Sequence, residues 1–274
     1  MPQNIAVVIG VGGMGQAIAR HIGSGTHLVL ADFNQETLDA VAKSLRDEGY
    51  EVTSAVVDVS SAESVAALAA QAAAIGEVRS VVHTAGLSPV QAPVPAVLAV
   101  DLLGVALVLD EFGKVVAPGG AGVVIASMAA YHHPAIAAED ALLLATTPSD
   151  ELLSLPILDP TRFANSSHAY GYAKQANLLR IQAASNSWGE RGARINAISP
   201  GVIATPMGQA ELNGQHAAVM NAMIDASNAK RVGTPADIAA ATAFLLGPAA
   251  GFISGTDLLV DGGVVAAVRT GRLG

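Results

Sequence analysis

Cysteine is absent from this 274-residue chain, so disulfides and thiol chemistry are excluded and a reducing compartment is compatible. Aromatic residues are scarce at 4%, and charged residues reach only 14% against 51% apolar. A chain so rich in Ala and Gly suits closely packed helices and sheet, with surface buried against other subunits of a homodimer or homotetramer. The remaining charge is acidic: a net −9 argues against nucleic acid or an anionic membrane as partner, since both reward a basic surface. No apolar run reaches the length of a membrane span. Signal-peptide features are missing too, because the chain passes almost directly into the buried-strand pattern Ile5-Ala6-Val7-Val8-Ile9. These absences predict a soluble cytoplasmic protein, and the length suits a single α/β domain over residues 1–274.

What is present is an alternation. Short β-branched runs at Ile5–Ile9, His27–Ala31, Glu51–Val57, Val78–His83, Gly122–Ser127, Arg194–Ser199 and Thr256–Val260 read as strands. Helical stretches lie near 14–23, 34–48, 61–75, 95–116, 170–188 and 235–246. Such alternation implies parallel strands joined by right-handed crossovers: a doubly wound α/β sheet of Rossmann type with helices on both faces. The rhythm breaks over 132–168, where Thr147-Pro148-Ser149-Asp150-Glu151 reads as a helix start with proline and acids in its first turn. That stretch is expected to be a mostly helical insertion.

Gly10-Val11-Gly12-Gly13-Met14-Gly15 fits G-x-G-x-x-G between the first strand and the first helix. There the first glycine permits a tight turn, the second lets backbone approach a pyrophosphate, and the third allows close helix–strand packing. The helix N-terminus attracts the phosphates. A glycine-rich turn alone need not bind anything; its position and the acid ending the second strand give it weight. Asp32 lies 22 residues after Gly10, where a carboxylate would accept from the adenosine ribose and repel a 2′-phosphate, favouring NAD over NADP. The plainer alternative is that Asp32 caps the next helix, with Glu36 in its first turn. Asp58-Val59 closes the third strand, where adenine could lie against Val59. His83-Thr84-Ala85-Gly86 closes the fourth with the small residues a ribose crevice needs. These strand ends share the carboxyl edge of the sheet, where open α/β folds bind ligands.

Tyr170-Gly171-Tyr172-Ala173-Lys174 opens a predicted helix, and residues four apart share a helical face, so Tyr170 and Lys174 can face one ligand. The ammonium should lower the phenol pKa from about 10, toward the range a general acid/base needs. Tyr172, two residues from Lys174, points elsewhere. Ser127 ends the fifth predicted strand, so its hydroxyl would reach the same edge and could donate to a carbonyl oxygen. Singly, each feature has an ordinary explanation: a half-buried tyrosine beside a solvated lysine, or a serine in a turn. Together with the nucleotide turn they describe an oxidoreductase.

In their order along the chain these features resemble the short-chain dehydrogenase/reductase family. The resemblance rests on the glycine turn, Asp58-Val59, the Thr84-Ala85-Gly86 strand end, Ser127, Tyr170-x-x-x-Lys174 and Pro200-Gly201-Val202-Ile203-Ala204-Thr205. Arg231-Val232-Gly233-Thr234-Pro235, Ile253-Ser254-Gly255 and Val260-Asp261-Gly262-Gly263 extend it over nearly the whole chain. It implies a seven-stranded core and hydride transfer between nicotinamide and a carbinol carbon. It also implies that Lys174 bonds the nicotinamide ribose, that Thr205 and the Ile203 backbone hold the carboxamide, and that Pro200 and Gly201 shape that loop.

Three departures stand out. The glycine turn is one residue shorter than usual, so pyrophosphate contacts should shift slightly. His83-Thr84 replaces the usual Asn, which would change how neighbouring strands are tied. Asp101-Leu102-Leu103-Gly104 replaces Asn-x-x-Gly, whose Asn supports a water relay to the lysine. Asp101 is expected to accept from that water as a relay member, while its charge would strengthen the ion pairing or slow the relay.

Ser127 and Tyr170 stand 43 residues apart, further than usual for the family. That insertion, with the Trp188–Gly201 segment and the tail after Val260, looks like the bacterial 3α-hydroxysteroid dehydrogenase/carbonyl reductases. In that subgroup the insertion obstructs a common helix-bundle contact and dimers form differently. Residues 206–230, with Met207, Leu212, Met220, Met223 and Ile224, would overhang the nicotinamide and suit a bulky hydrophobic or steroid-like alcohol or ketone. The bland alternative is a helix pair packed on the core. Tyr131 and the leucines of the insertion are expected to complete the pocket. His132-His133 has neither Cys nor clustered carboxylates beside it and reads as a loop pair, so no metal is expected. Two rival readings remain: an NADP-dependent carbonyl reductase, and a non-catalytic nucleotide-sensing Rossmann protein, which would not need Ser127, Tyr170 and Lys174 together.

Overall fold

The computed structural model describes residues 3–90, 92–214 and 217–272. Among them β1 (Asn4–Ile9), β2 (His27–Asp32), β3 (Glu51–Val56), β4 (Glu77–His83), β5 (Val116–Ile125), β6 (Arg194–Pro200) and β7 (Asp257–Val260) form one seven-stranded sheet. Its order is β3-β2-β1-β4-β5-β6-β7 and every pairing is parallel. The order reverses beside β1, which opens a crevice at the carboxyl ends of the strands. The helices are α1 (Gly13–Ile22), α2 (Gln35–Asp47), α3 (Ala62–Ile75), α4 (Val94–Val97), α5 (Gly104–Val115), α6 (Ala138–Thr146), α7 (Ser149–Leu152), α8 (Ser166–Glu190), α9 (Pro206–Leu212), α10 (Ala217–Ala226), α11 (Pro235–Leu246) and α12 (Val264–Arg269).

Side-chain alternation along β1 shows why two helical layers are required. Ile5, Val7 and Ile9 join one core with Leu68 of α3, Phe112 of α5 and Trp188 of α8. Ala6 and Val8 join the other with Ile18 of α1, Leu38 of α2 and Ile238 of α11. Both faces of the sheet are therefore covered, as a parallel sheet needs.

Several boundaries differ from expectation for identifiable reasons. β5 starts at Val116, ahead of the expected Gly122, and its register on β4 jumps between Val78 and Ser80, so Pro118-Gly119-Gly120 forms a bulge. The expected continuous helix over 95–116 is interrupted by a π-helical turn, Leu98–Leu103, between α4 and α5. α8 begins at Ser166, capped by Asn165, whose side chain accepts from the His168 N–H at 2.9 Å. Tyr170 therefore sits in the second turn of its helix instead of opening it. α12, after the paired glycines, was not anticipated.

The insertion is helical, as expected. It contributes α6 and α7, and 3₁₀ turns at Pro156–Leu158 and Pro160–Arg162. Leu144, Leu152, Leu158 and Phe163 bury against Ala169, Ala173 and Ala176 of α8. Arg180 of α8 ties it further, donating to the carbonyls of Leu144 (2.9 Å) and Thr147 (3.0 Å). Among the described residues no helix is long and apolar enough to cross a membrane.

Candidate active site

After β1 the chain turns into α1 through Gly10, at φ +88°, where a Cβ would stand 2.5 Å from the Ala85 nitrogen. The Thr84 hydroxyl donates to the Gly10 carbonyl at 2.6 Å and so ties β4 to the turn. Gly15 packs directly against the Gly10 carbonyl, and Gly13 against the Thr205 methyl. Gly12 is the reverse case, since a Cβ there would meet nothing within 4 Å. As N-cap of α1 it has no side chain to offer, so the first-turn N–H groups lack a side-chain cap beside a cleft of about 580 Å³. Open backbone, uncapped donors and the positive end of a ten-residue helix fit a dinucleotide phosphate.

Asp32 and Asp58 line this cleft, but each also works for the protein itself. The Asp32 carboxylate accepts from the Val11 N–H (2.8 Å) and the Asn34 N–H (2.9 Å), bracing the glycine turn from the end of β2. Sequence reasoning missed that role. The alternative of Asp32 as helix cap is corrected: Asn34 caps α2, accepting from the Thr37 N–H at 2.8 Å. Asp58 accepts from the Ser60 N–H (2.9 Å) and hydroxyl (2.6 Å). Val59, Ala85 and Gly86 complete the walls. Among the described residues no lysine or arginine lines the cleft.

Tyr170 and Lys174 share a face of α8, with the ammonium nitrogen 5.3 Å from the centre of the phenol ring. Ser127 does not end β5, which stops at Ile125. It caps the short 3₁₀ turn Met128–Tyr131, its hydroxyl accepting from the Ala129 N–H at 3.1 Å, and it shares a cavity with Tyr170. The wider π-helical turn brings Asp101 inward to full burial, 3.0 Å from the Lys174 nitrogen. Its carboxylate also accepts from the Leu87 N–H at 3.2 Å, and Asn177 donates to the Asp101 carbonyl at 2.7 Å. The contact is the ion pairing with Lys174 that the charge of Asp101 was expected to strengthen. Gly86 admits this pair to the cleft wall: a Cβ there would lie 2.7 Å from an Asp101 oxygen.

The charge balance also differs from expectation. Burial works against the Lys174 ammonium, yet the Asp101 carboxylate and the Tyr170 phenol outweigh it and hold Lys174 above the ordinary lysine range. Burial drives the Asp101 carboxyl upward, opposed by Lys174. The Tyr170 phenol is pushed up, not down. Burial is the main cause; Lys174 and Ser127 pull it down, while Asp101 and Glu211 add to the rise. His83 stands fully buried near this pair with neither ring nitrogen partnered, and burial, then the charge of Lys174, press its pKa down to about 3.

A second cavity, of about 320 Å³, holds Ser127 and Tyr170 and adjoins the first, sharing Met14, Thr205 and Met207 with it. Pro200 ends β6 and Gly201 follows it on the cavity wall, Ile203 bridges to Gly233, and Thr205 caps α9. Met207, Met220 and Met223 line it, whereas Leu212 and Ile224 pack against the buried cluster of Val202, Val264 and Val265. Gln215 and His216, inside the 206–230 segment, lie outside the described residues. Tyr131 and the insertion leucines do not complete this wall. Tyr131 instead bonds the Asp257 carboxylate with its ring beneath Arg269, and Leu144 and Leu152 are spent on α8. His132 and His133 line the cavity, and burial lowers both pKa values. Among the described residues no group of three or more metal-ligating side chains comes together. Glu211 on α9 also faces this cavity and was missed. Its sequence signal was an acid set among methionines and leucines.

A dinucleotide cleft running into a cavity where a half-buried phenol meets a buried ammonium defines a nucleotide-dependent oxidoreductase, and the relatives agree. Residues 4–138 match the family model described as short chain dehydrogenase, and residues 136–265 the one described as Enoyl-(Acyl carrier protein) reductase. The short-chain dehydrogenase/reductase bsc3 of Alternaria brassicicola is 42% identical over 268 residues, covering 97% of each chain. The 3-alpha-hydroxysteroid dehydrogenase/carbonyl reductase of Comamonas testosteroni is 30% identical over 187 residues, 68% of this chain and 72% of its own. Among solved structures, the short-chain glucose/ribitol dehydrogenase of Brucella melitensis superposes with a TM-score of 0.73 at 29% identity, covering 96% of each. The chain belongs to the short-chain dehydrogenase/reductase family. It is an oxidoreductase of alcohol and carbonyl substrates that uses a nicotinamide dinucleotide.

Proposed function

We propose that the protein is an NAD-dependent dehydrogenase interconverting a secondary alcohol and a ketone, with Tyr170 as its proton-transfer group. The observation that carries this reading is the junction of the two cavities at Met14, Thr205 and Met207, which leads from the phosphate-binding turn to the phenol. A bound oxidised nicotinamide would supply the acceptor for the hydride that leaves the carbinol carbon. Tyr170 removes the alcohol proton in oxidation and returns it in reduction. Ser127 donates to the substrate oxygen as its charge changes. Lys174 offsets the phenolate charge and bonds the ribose, while Asp101 acts through Lys174 as a positioning residue. Thr205 and the Ile203 backbone hold the carboxamide, next to the loop shaped by Pro200 and Gly201.

NAD is preferred because Asp32 would repel a 2′-phosphate and no cationic side chain among the described lining residues would receive one. The methionine wall suits a substrate with a bulky apolar body. The chain is proposed to act as one domain, in the cytoplasm, as a homodimer or homotetramer. The insertion covering the flank of α8 supports a subunit contact other than the helix bundle. Steady-state oxidation of secondary alcohols with each cofactor tests the reading. The expected result is a higher kcat/KM with NAD, and a Tyr170→Phe variant that binds NADH but loses turnover by about a hundredfold or more. Preference for NADP would make it the carbonyl reductase of the rival reading. Near-normal turnover in Tyr170→Phe would remove the assigned proton donor, and tight NADH binding without hydride transfer would favour a nucleotide sensor.

A further inference from the structure

The second cavity is apolar along the Met207, Met220 and Met223 wall, yet it contains one carboxylate. Glu211 reaches it from α9, and the buried Ser88 hydroxyl donates to a Glu211 oxygen at 2.8 Å. This bond links the loop after β4 to α9 and fixes the carboxylate on the cavity wall. Among the described residues Glu211 is the one fixed charge on that wall, since burial keeps His132 and His133 below the ordinary imidazole range. Its charge is also felt at the Tyr170 hydroxyl.

An ionised carboxylate in such a cavity is solvated by water until a substrate enters. A substrate that expels the water without replacing its hydrogen bonds leaves the anion short of donors, which costs much more than the lost contact alone. A second carboxylate would add repulsion. We propose that Glu211 is a specificity-determining residue: it accepts a hydrogen bond from a second hydroxyl of the substrate, so that diols and hydroxyketones with an apolar body are preferred and carboxylate-bearing alcohols are disfavoured. This rests on the oxidoreductase reading above and narrows its substrate class.

The test measures NAD-dependent oxidation of cyclohexanol, vicinal cyclohexanediol and hydroxycyclohexanecarboxylate by the wild type, Glu211→Leu and Glu211→Gln, with NADH binding followed by fluorescence. The wild type should favour the diol over the mono-alcohol by about tenfold or more in kcat/KM, mainly through KM. In Glu211→Leu that ratio should fall toward parity, and in Glu211→Gln the carboxylate-bearing alcohol should gain most. A pH profile gives a readout that a merely structural role would not move. The phenol faces Lys174 on its own helix, Asp101 on the π-helical turn, Ser127 beyond β5 and Glu211 on α9. Removing the Glu211 charge lowers the phenol pKa, so the ascending limb of oxidation should shift to lower pH in Glu211→Gln. An unchanged diol preference in Glu211→Leu, equal losses on both alcohols, or a wild type without diol preference would overturn the proposal while leaving the oxidoreductase reading in place. Failure of the wild type to oxidise any alcohol in the panel, with NADH still bound, would overturn both.

Discussion

His83 offers a measurable consequence of burying an imidazole without partners. It lies in the centre of the sheet, paired with Ile9 on β1 and Val124 on β5, and both ring nitrogens are unsatisfied. The ring ionises near 6.5 in an open chain and near 3 in the folded one. A folded pKa below the unfolded one means that, as pH falls under 6.5, the unfolded chain gains a proton that the native chain refuses. Stability from this residue is therefore intact above that pH and declines below it, by about 1.4 kcal/mol per pH unit. At pH 4.5 the loss amounts to about 3 kcal/mol, a large share of the roughly 5–15 kcal/mol typical of a folded protein. His83→Leu should abolish this component, and by removing two unpartnered polar atoms it should not weaken the protein at neutral pH. Urea unfolding followed through the fluorescence of the single tryptophan, the buried Trp188, supplies the assay at pH 7.5 and 4.5. Wild type should lose about 3 kcal/mol more than the variant between those two conditions. Equal losses in both proteins would refute the assignment of a neutral, proton-refusing His83.

Asp101→Asn keeps an acceptor for the Leu87 N–H but strips the charge from a buried ion pair, so stability should fall by about 3–5 kcal/mol in denaturant titrations. Because Asp101 raises the Tyr170 pKa, the same variant should move the ascending limb of the oxidation profile to lower pH; an upward shift would refute the charge balance described. Gly12→Val should leave the melting temperature nearly unchanged, since a Cβ there meets nothing, yet weaken NADH binding by tenfold or more in a fluorescence titration, roughly the loss of one charged hydrogen bond. Unaltered affinity would mean the phosphates do not pass over Gly12. Thr234→Ala removes the hydroxyl that accepts from the Asp237 N–H at the start of α11. Calorimetry should show a loss of about 1 kcal/mol, with no change in nucleotide affinity.

Features written in local spacing were legible in the sequence. The β-branched runs gave the seven strands, the glycine spacing gave the turn after β1, and the four-residue step from Tyr170 to Lys174 gave a shared helical face. What local spacing cannot carry is a sum over elements distant in sequence. Leu98-Ala99-Val100-Asp101-Leu102-Leu103 contains nothing hostile to an α-helix; the extra residue in its turn is stabilised from outside, by Asn177 bonding the Asp101 carbonyl and Lys174 meeting the carboxylate. The phenol pKa shows the same limit. A lysine one turn away argues for a lower value, but the result depends on burial and on carboxylates arriving from the π-helical turn and from α9. Asp32 is the intermediate case: its place at the end of β2 was readable, while its bond to the Val11 N–H required knowing how near the turn would come. In the proposed mechanism the pair on α8 decides which atoms exchange a proton, and the residues brought to it by the fold set the pH at which they do so.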